Sequence, residues 1–266
     1  MTAAVETSGL SVRAGSKALI DDISLSVAAG ETVALIGPNG AGKSTLLRAL
    51  SGEIAATSGD VRVKGTAPRA YAPQVLALHR AVLAQHVNVA FPFSVAEIVR
   101  MGGGERRGVA VEKMLDEALA EVDMTHMRDR IITTLSGGEQ QRVHLARVLV
   151  QLACGEAKHG PGILLLDEPT ASLDLCHQLD LLGIIRRCNG RGTTVITIMH
   201  DLNLAALFAR RIVALSQGRL TRDGKPEDTI NDDLLAGVFG VAGAANRTPP
   251  AGIPFVLPHG ATKLPH

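Results

Sequence analysis

The stretch that decides the fold is Gly37-Pro38-Asn39-Gly40-Ala41-Gly42-Lys43-Ser44-Thr45. It matches the pattern G-x-x-x-x-G-K-[S/T], whose glycines let successive backbone N–H groups turn inward towards phosphate oxygens. An apolar run at residues 32–36 predicts a buried strand before it, and residues 44–50 predict a helix after it. In this strand–loop–helix context we expect Lys43 to bridge the β- and γ-phosphates of a nucleoside triphosphate and the Ser44 hydroxyl to hold Mg²⁺. A chance glycine-rich turn is the alternative, and the flanking elements argue against it.

Composition restricts the classes of protein to which the chain can belong. Its 266 residues are 46% hydrophobic and 2% aromatic, so we expect one large α/β domain with a core of Leu, Val, Ile and Ala. A net charge of +1 indicates no basic surface for nucleic acid. No apolar run approaches the roughly 18 residues that a membrane-spanning helix needs, and we expect no signal peptide. The scattered Cys154, Cys176 and Cys188 are expected to be reduced thiols without metal or disulfide roles.

Short strands are predicted on both sides of the loop. Residues 10–13 and 23–27 alternate apolar and polar side chains, with breaks at Gly15 and at Asp21-Asp22, which is typical of antiparallel strands joined by a turn. Another short strand is predicted at residues 60–63, between glycine-containing turns.

The middle and the end of the chain have different patterns. Between about residues 67 and 130, apolar side chains recur at spacings of three and four, as at residues 95–101 and 111–119, which predicts a helical insert. From about residue 240 to 266 the chain is rich in proline and glycine, which predicts an irregular tail.

A helix start is predicted at Leu135-Ser136-Gly137-Gly138-Glu139-Gln140-Gln141-Arg142. Ser136 and, three residues later, Glu139 form a capping-box pattern, and the helix is predicted to run to about Leu152. Gly137 and Gly138 leave the backbone bare at the positive end of the helix, which suits a phosphate group. From these residues alone, an ordinary helix cap is the alternative.

Two further apolar runs end in residues that can act on a phosphate. Residues 162–166 predict a strand buried on both faces of a parallel sheet, and Asp167 and Glu168 follow it. Ligands bind at the carboxyl ends of such strands, so we expect Asp167 to reach Mg²⁺ and Glu168 to orient or deprotonate the attacking water. Residues 193–199 predict a second buried strand, and His200 follows it at the same sheet edge. Solvated acids and a structural histidine are the alternatives.

Together these motifs resemble those of the ATP-binding cassette (ABC) ATPases, and the resemblance covers nearly the whole chain. It rests on the phosphate loop, on the signature at residues 135–142, which other nucleoside triphosphatases lack, and on Leu166-Asp167-Glu168-Pro169, Ser172-Leu173-Asp174 and His200. It implies a single domain over residues 1–266 of the α/β class, a P-loop NTPase cassette. That cassette would have a mainly parallel core sheet, an antiparallel β subdomain and a helical subdomain at about residues 86–150.

The resemblance also implies an ATP-hydrolysing enzyme that acts as a head-to-tail dimer, with ATP and Mg²⁺ between its subunits. Glu168 would be the catalytic base, and His200 would hold the γ-phosphate and the attacking water. Ser44 and Asp167 would reach the metal, and Asp174 would couple the two sites. The opposite subunit would contribute to each nucleotide the residues Ser136, Gly137, Gly138 and Glu139.

The family has a glutamine that touches Mg²⁺ and senses the membrane partner, and two candidates exist here. Tyr71-Ala72-Pro73-Gln74 matches the usual Y-x-P-Q pattern. Gln85 follows a strand-like run and precedes Phe91-Pro92-Phe93-Ser94-Val95, which resembles the stretch after that glutamine. We choose Gln85, as a catalytic and metal-contacting residue, and expect Gln74 in a helix leading to the strand, although Ala84 replaces the usual proline.

The nucleobase end of the site departs from the family pattern. The aromatic residue that the family often stacks on adenine is missing around Arg13. Either Arg13 covers the base by a cation–π-like contact or the base contacts are weak. The sequence therefore leaves nucleobase selectivity open.

Within the family, the chain resembles the ATPases of bacterial importers, and in particular the haem-importer branch of the iron-siderophore, haem and cobalamin group. Residues 90–102, His177-Gln178, residues 200–206 and an extended loop at residues 154–161 carry that resemblance. It implies a peripheral subunit on the cytoplasmic face of the inner membrane. Its partners would be a second ATPase subunit, a transmembrane permease dimer and, indirectly, a periplasmic haem-binding protein, with no nucleic acid. The alternatives are a ferric-siderophore or cobalamin importer and a soluble ABC ATPase without a permease.

Overall fold

The chain folds into two β-sheets with helices packed around them. A computed structural model describes residues 3–85, 87, 89–171, 173–243 and 245–260. The strands are β1 Ala3–Ala14, β2 Lys17–Ala28, β3 Thr32–Ile36, β4 Ser58–Val63, β5 Arg80–Leu83, β6 Ile163–Leu166, β7 Thr194–Ile198, β8 Arg211–Ser216 and β9 Arg219–Gly224. The helices are α1 Lys43–Leu50, α2 Pro73–His79, α3 Val95–Arg100, α4 Val109–Glu121, α5 Gly137–His159, α6 Leu175–Gly190, α7 Leu202–Phe208, α8 Pro226–Thr229 and α9 Asp232–Leu234. In these ranges no helix has the length and apolarity to cross a membrane.

The larger sheet has six strands in the order β5-β6-β7-β3-β8-β9. Strands β5, β6, β7, β3 and β8 run parallel, and β9 is antiparallel to β8. Along β6, Leu164 and Leu166 pack into one hydrophobic cluster, whereas Ile163 and Leu165 pack into the cluster on the opposite face. The strand is therefore buried on both faces, which confirms the prediction from its continuous apolar run.

The smaller sheet has three antiparallel strands in the order β2-β1-β4. The predicted strands at residues 10–13, 23–27 and 60–63 lie within them, so this part of the fold class is confirmed. The interpretation of Asp21-Asp22 as a break was wrong, because both residues lie inside β2. The ladder is irregular there, with Asp22 at φ 55°, so the polar pair marks a local distortion of a continuing strand.

Helices α3 and α4 confirm the helices that the spacing of apolar residues predicted at residues 95–101 and 111–119, and α5 confirms the helix predicted from the capping box. Helix α5 begins after Ser136 as expected, but it continues to His159 rather than ending near Leu152. The extended loop predicted at residues 154–161 is therefore mostly helix. Gly155 does not break the helix, because it lies where α5 passes the backbone of α2: a Cβ there would come within 2.1 Å of the Leu78 carbonyl oxygen.

The end of the chain is largely irregular, as its composition predicted. The described part of the tail contains one short helical turn at Pro258–Gly260, which packs against α7. Residues 261–266 lie outside the described residues. The boundaries of the single domain and of its helical subdomain stay predictions.

Candidate functional site

The phosphate loop connects β3 to α1 and is shaped by glycines that no other residue can replace. Gly37 and Gly42 have φ values of 141° and 100°. A Cβ on Gly37 would lie 2.1 Å from the Leu215 carbonyl oxygen, and one on Gly42 would lie 2.7 Å from the Leu19 carbonyl oxygen. The loop thus lies directly against the backbones of two strands, in a conformation that requires glycine, and it leads into the start of α1, where phosphate groups bind favourably.

Lys43 is the first residue of α1 and is 5% exposed. Its Nζ donates to the carbonyls of Gly37 (2.8 Å) and Pro38 (3.0 Å), so the ammonium lies inside the loop. Burial lowers the pKa of Lys43, and the nearby carboxylates of Glu168 and Asp167 oppose that shift. A positive charge held in this position suits the phosphates of a nucleotide.

Ser44 and Asp167 provide adjacent oxygen atoms at the start of α1 and the end of β6. Ser44 Oγ donates to Asp167 Oδ1 at 3.2 Å. Burial raises the pKa of Asp167, and the neighbouring Glu168 raises it further against the hydrogen bond from Ser44. A hydroxyl and a carboxylate are hard oxygen ligands that Mg²⁺ uses together with substrate phosphates. The donor set therefore fits a magnesium–nucleotide complex, although the described residues form no cluster of three His, Cys, Asp or Glu side chains for a metal held by protein alone.

Glu168 lies between two of the other predicted site residues. Gln85 Nε2 donates to Glu168 Oε2 at 2.6 Å, and His200 Nε2 is 2.5 Å from Glu168 Oε1. Because a carboxylate only accepts, Nε2 is the protonated nitrogen of His200 when Glu168 is ionised. The Glu168 backbone has φ 50°, a left-handed conformation that costs a non-glycine residue about 1 to 2 kcal/mol. Gln74, the rejected candidate, lies in α2 as expected.

A cavity of about 470 Å³ opens over the phosphate loop. Besides Glu168 and the loop itself, it is lined by residues that sequence reasoning missed: Lys17, Ala18, Leu19, Gln217 and Gly218. Gly218 N–H donates to the Ala41 carbonyl at 3.1 Å, so the β8–β9 turn supports the loop. No motif marks these residues, because only the sheet topology brings the start of β2 and the β8–β9 turn to the phosphate loop. Arg13 lies on the β1–β2 hairpin, where its guanidinium donates to the Ser16 carbonyl.

The signature residues form a capped, exposed helix end. Ser136 Oγ accepts from the Glu139 N–H, and Glu139 Oε2 accepts from the Ser136 N–H at 2.7 Å, which completes the predicted capping box. The latter bond lowers the pKa of Glu139. A Cβ on Gly137 would meet nothing within 4 Å. Ser136 and Gly137 are exposed, and the described lining of the phosphate cavity includes neither them nor Gly138.

Asp174 caps α6 rather than joining the phosphate cavity. Its carboxylate accepts from the His177 N–H at 2.9 Å and lies 2.9 Å from His177 Nδ1. The backbone bond is the main cause of a lowered pKa of Asp174. Ser172, quoted with it as part of one motif, lies outside the described residues. Within one chain, the structure thus brings together Lys43, Ser44, Asp167, Glu168, Gln85 and His200, and it places the signature end and Asp174 elsewhere.

Comparisons with known proteins agree with this geometry. Residues 20–171 match the model of the ABC transporter family. The chain is 55% identical over 258 residues to the Hemin import ATP-binding protein HmuV of Rhodopseudomonas palustris (strain BisA53), covering 97% of this chain and 95% of that protein. It is 45% identical over 264 residues to the protein of the same name from Rhizobium leguminosarum, covering 98% and 100% of the two chains.

Solved structures give the same fold. The chain superposes on cbiO1 from Clostridium perfringens, part of the ABC transporter complex cbiONQ, with a TM-score of 0.73 and 26% identity over 86% of this chain and 90% of that one. The ADP conformation of MJ1267, an ATP-binding cassette of an ABC transporter, gives a TM-score of 0.78 at 21% identity over 90% and 99% of the two chains. With its phosphate loop, signature helix and acidic strand end in the arrangement described above, the chain belongs to the ABC transporter family as an ATP-binding subunit.

Proposed function

We propose that this chain hydrolyses ATP with Mg²⁺ as the ATPase subunit of a haem importer. The observation that carries the hydrolytic part is the Glu168 carboxylate, which is held by Gln85 and His200 beside the Ser44–Asp167 pair and the phosphate loop. The haem assignment is supported by relatives at 45% to 55% identity over almost their whole length that are named hemin import proteins.

Binding begins at the loop. Its N–H groups and the Lys43 ammonium would hold the β- and γ-phosphates, and Lys43 Nζ would exchange its bonds to the Gly37 and Pro38 carbonyls for phosphate oxygens. Ser44, Asp167 and Gln85 would hold Mg²⁺, which when bound neutralises charge on the β- and γ-phosphate oxygens. Gln85 is bonded to Glu168 in this structure, so its side chain would move from the carboxylate to the metal.

Glu168 would act as the general base. Its carboxylate takes a proton from water as the water oxygen bonds to the γ-phosphorus and the bond from that phosphorus to the β–γ bridging oxygen breaks, which releases ADP and phosphate. His200 Nε2–H, now directed at Glu168, would donate to a γ-phosphate oxygen and steady the attacking water. Release of Glu168 by both Gln85 and His200 therefore accompanies formation of the reactive site.

The site would be completed by a second copy of the chain. Ser136, Gly137, Gly138 and Glu139 form the positive start of α5, at which Ser136 and Gly137 are exposed, and such an end suits the γ-phosphate held by the other subunit. In this head-to-tail homodimer Asp174 would lie near the opposite site and couple the two. ATP binding would close the dimer, and hydrolysis would open it.

The chain would act from the cytoplasmic face of the inner membrane, as a peripheral subunit on a transmembrane permease dimer. Phe91, 69% exposed, lies in the segment between Gln85 and α3, and its ring is 6.2 Å from that of Phe93. An exposed aromatic side chain six residues after Gln85, the glutamine expected to contact the metal and sense the membrane partner, is suited to contact a permease helix. A periplasmic haem-binding protein would deliver the substrate to the permease and would not touch this chain.

Growth on haem as the sole iron source tests the function. A strain that depends on this chain for its ATPase would be compared with one carrying Lys43→Ala, with ferric siderophore and cobalamin supply scored in parallel. We expect Lys43→Ala to abolish growth on haem alone. Loss on a siderophore or on cobalamin instead would reassign the substrate, and growth on haem at the wild-type rate would contradict the proposal.

A further inference from the structure

The backbone directly after Glu168 forms a tight, buried turn. The Ala171 N–H donates to the Glu168 carbonyl at 3.3 Å, with Pro169 and Thr170 between them. Pro169 and Thr170 are both buried. Buried carbonyls need hydrogen-bond donors inside the protein, since an unpaired one is costly.

Two glutamines from different helices supply donors to this turn. Gln141 Nε2, from α5, donates to the Pro169 carbonyl at 2.6 Å. Gln178 Nε2, from α6, donates to the Thr170 carbonyl at 3.2 Å. Side chains from two separate helices thus hold the turn, one bonded to the carbonyl of Pro169 and the other to the carbonyl of Thr170.

The amide N–H₂ of Gln141 is the group that makes the hydrogen bond to the turn. A carbonyl oxygen only accepts hydrogen bonds, so the amide atom facing Pro169 must be the nitrogen. The other amide atom, Oε1, is buried without a partner in the part of the chain that the structure describes. A buried amide oxygen without a donor lowers the stability of the folded chain. The side-chain hydrogen bond that Gln141 does make is to Pro169, the residue after Glu168.

The positions of the two glutamines connect this turn to the surfaces proposed to meet the second subunit. Gln141 lies in the first turns of α5, the helix that Ser136 caps, and Gln178 lies in the first turn of α6, which Asp174 caps. Each helix start is therefore joined by one side-chain hydrogen bond to the backbone that follows Glu168.

We propose that Gln141 is a positioning residue for Glu168, and that it links the signature helix of a subunit to the base of the same subunit. The inference rests on the proposed function of Glu168. The left-handed backbone of Glu168, at φ 50°, is stable only where its surroundings determine it. Without the Gln141 bond the Pro169 peptide can rotate, and the carboxylate then moves away from the position at which it meets the attacking water.

Steady-state ATP hydrolysis by Gln141→Met tests this role, because methionine keeps the length of the side chain and removes the donor. We expect kcat to fall roughly tenfold, with the KM for ATP unchanged within about twofold. ATP-dependent dimer formation, measured by gel filtration in the Glu168→Gln background, should be unaffected. The matched control is Gln151→Met, since Gln151 Nε2 also donates from α5 to backbone carbonyls, those of Ala77 and Arg80, and does not contact the turn.

The outcomes separate this inference from the function on which it rests. A kcat for Gln141→Met equal to that of Gln151→Met would overturn it, as would a loss of kcat matched by an equal loss of dimer formation. Undiminished turnover by Glu168→Gln would instead remove the base assignment itself. Should Gln141→Met fail to fold, Gln178→Met repeats the test at Thr170 and should also lower kcat without changing KM.

Discussion

At the scale of single residues, Glu168 is the centre of the candidate site. Its two oxygens are bonded to Gln85 and His200, and its side chain is 15% exposed. In the proposed mechanism these three side chains separate: Gln85 would turn to the metal and His200 to the phosphate. The Glu168 carboxylate is thus held from both sides by side chains that follow β5 and β7.

Replacing Glu168 by Gln should abolish turnover and leave nucleotide binding intact. The amide cannot accept the proton of the attacking water, so we expect kcat to fall by at least about 100-fold. The bound ATP should then persist and trap the closed dimer, which gel filtration with ATP would detect. Glu117→Gln, on an exposed position of α4, is the control and should hydrolyse ATP normally. Rapid turnover by the Glu168→Gln variant would exclude Glu168 as the base.

Sequence patterns located these residues but not their contacts. A strand followed by Asp167 and Glu168 is readable from an apolar run, because parallel strands end at the ligand edge of the sheet. The contact between Gln85 and Glu168 depends on β5 lying beside β6, which no local pattern encodes. The cavity residues at 17–19 and 217–218 were missed for the same reason.

At the scale of elements, helix α5 joins the signature end to the core of the chain. Its start was predictable, since Ser136 and Glu139 form a local capping box. Its end was not, because Gly155 resembles a helix terminator in sequence and serves in the structure to let α2 approach. Glycine is needed at this position because two helices pack closely there. The sequence by itself shows only the local conformational preference of glycine, which is to end a helix.

Helix α5 also contains a buried histidine that should make stability depend on pH. His144 is 5% exposed, and within the described residues neither ring nitrogen has a hydrogen-bond partner. Burial, with a smaller contribution from Arg147, lowers the pKa of His144 from 6.5 to about 4. As the pH falls, His144 therefore takes up a proton at a higher pH in the unfolded chain than in the folded chain. Wild-type stability should be lost from about pH 6.5 downward and should have fallen by about 2 kcal/mol at pH 5 from this residue.

The variant His144→Met removes that dependence. Urea unfolding would measure the free energy of unfolding of His144→Met relative to wild type at pH 7 and at pH 5. The stabilisation by the substitution should be larger at pH 5 by about 2 kcal/mol, since methionine takes up no proton. At an exposed histidine, His126→Met is the control and should change stability by less than about 0.5 kcal/mol. An equal effect of His144→Met at both pH values would show that the imidazole is not buried in its neutral form.

At the scale of the whole molecule, the predicted fold class is confirmed, and the predicted site residues fall into two separate sets. One set surrounds the phosphate loop, and the other consists of the signature end of α5 and the Asp174 end of α6. The order of the motifs along the chain does not indicate that the two sets lie apart. Residues 135–142 belong to the second set, yet in the sequence they lie between Gln85 and Glu168, which belong to the first. The separation supports the proposal, first implied by the family resemblance, that each site needs two subunits.

Complementation between two inactive variants tests that central claim most directly. Lys43→Ala disables the phosphate loop, and Ser136→Arg blocks the exposed signature end. Each variant alone should be inactive. In a head-to-tail dimer of the two, one site would combine an intact loop with an intact signature. An equal mixture should therefore regain up to about a quarter of the wild-type ATPase rate, given random pairing.

In the control, one chain carries both substitutions and is mixed with the wild-type chain. Both sites of every mixed dimer would then be damaged, so the mixed dimers should contribute no ATPase activity. If the mixture of single variants stays inactive although the chains form mixed dimers, or if Ser136→Arg alone hydrolyses ATP at the wild-type rate, the site does not require the signature of a second subunit. Recovered activity in the mixture, with none from the mixed dimers of the control, is the result that the proposed head-to-tail dimer predicts.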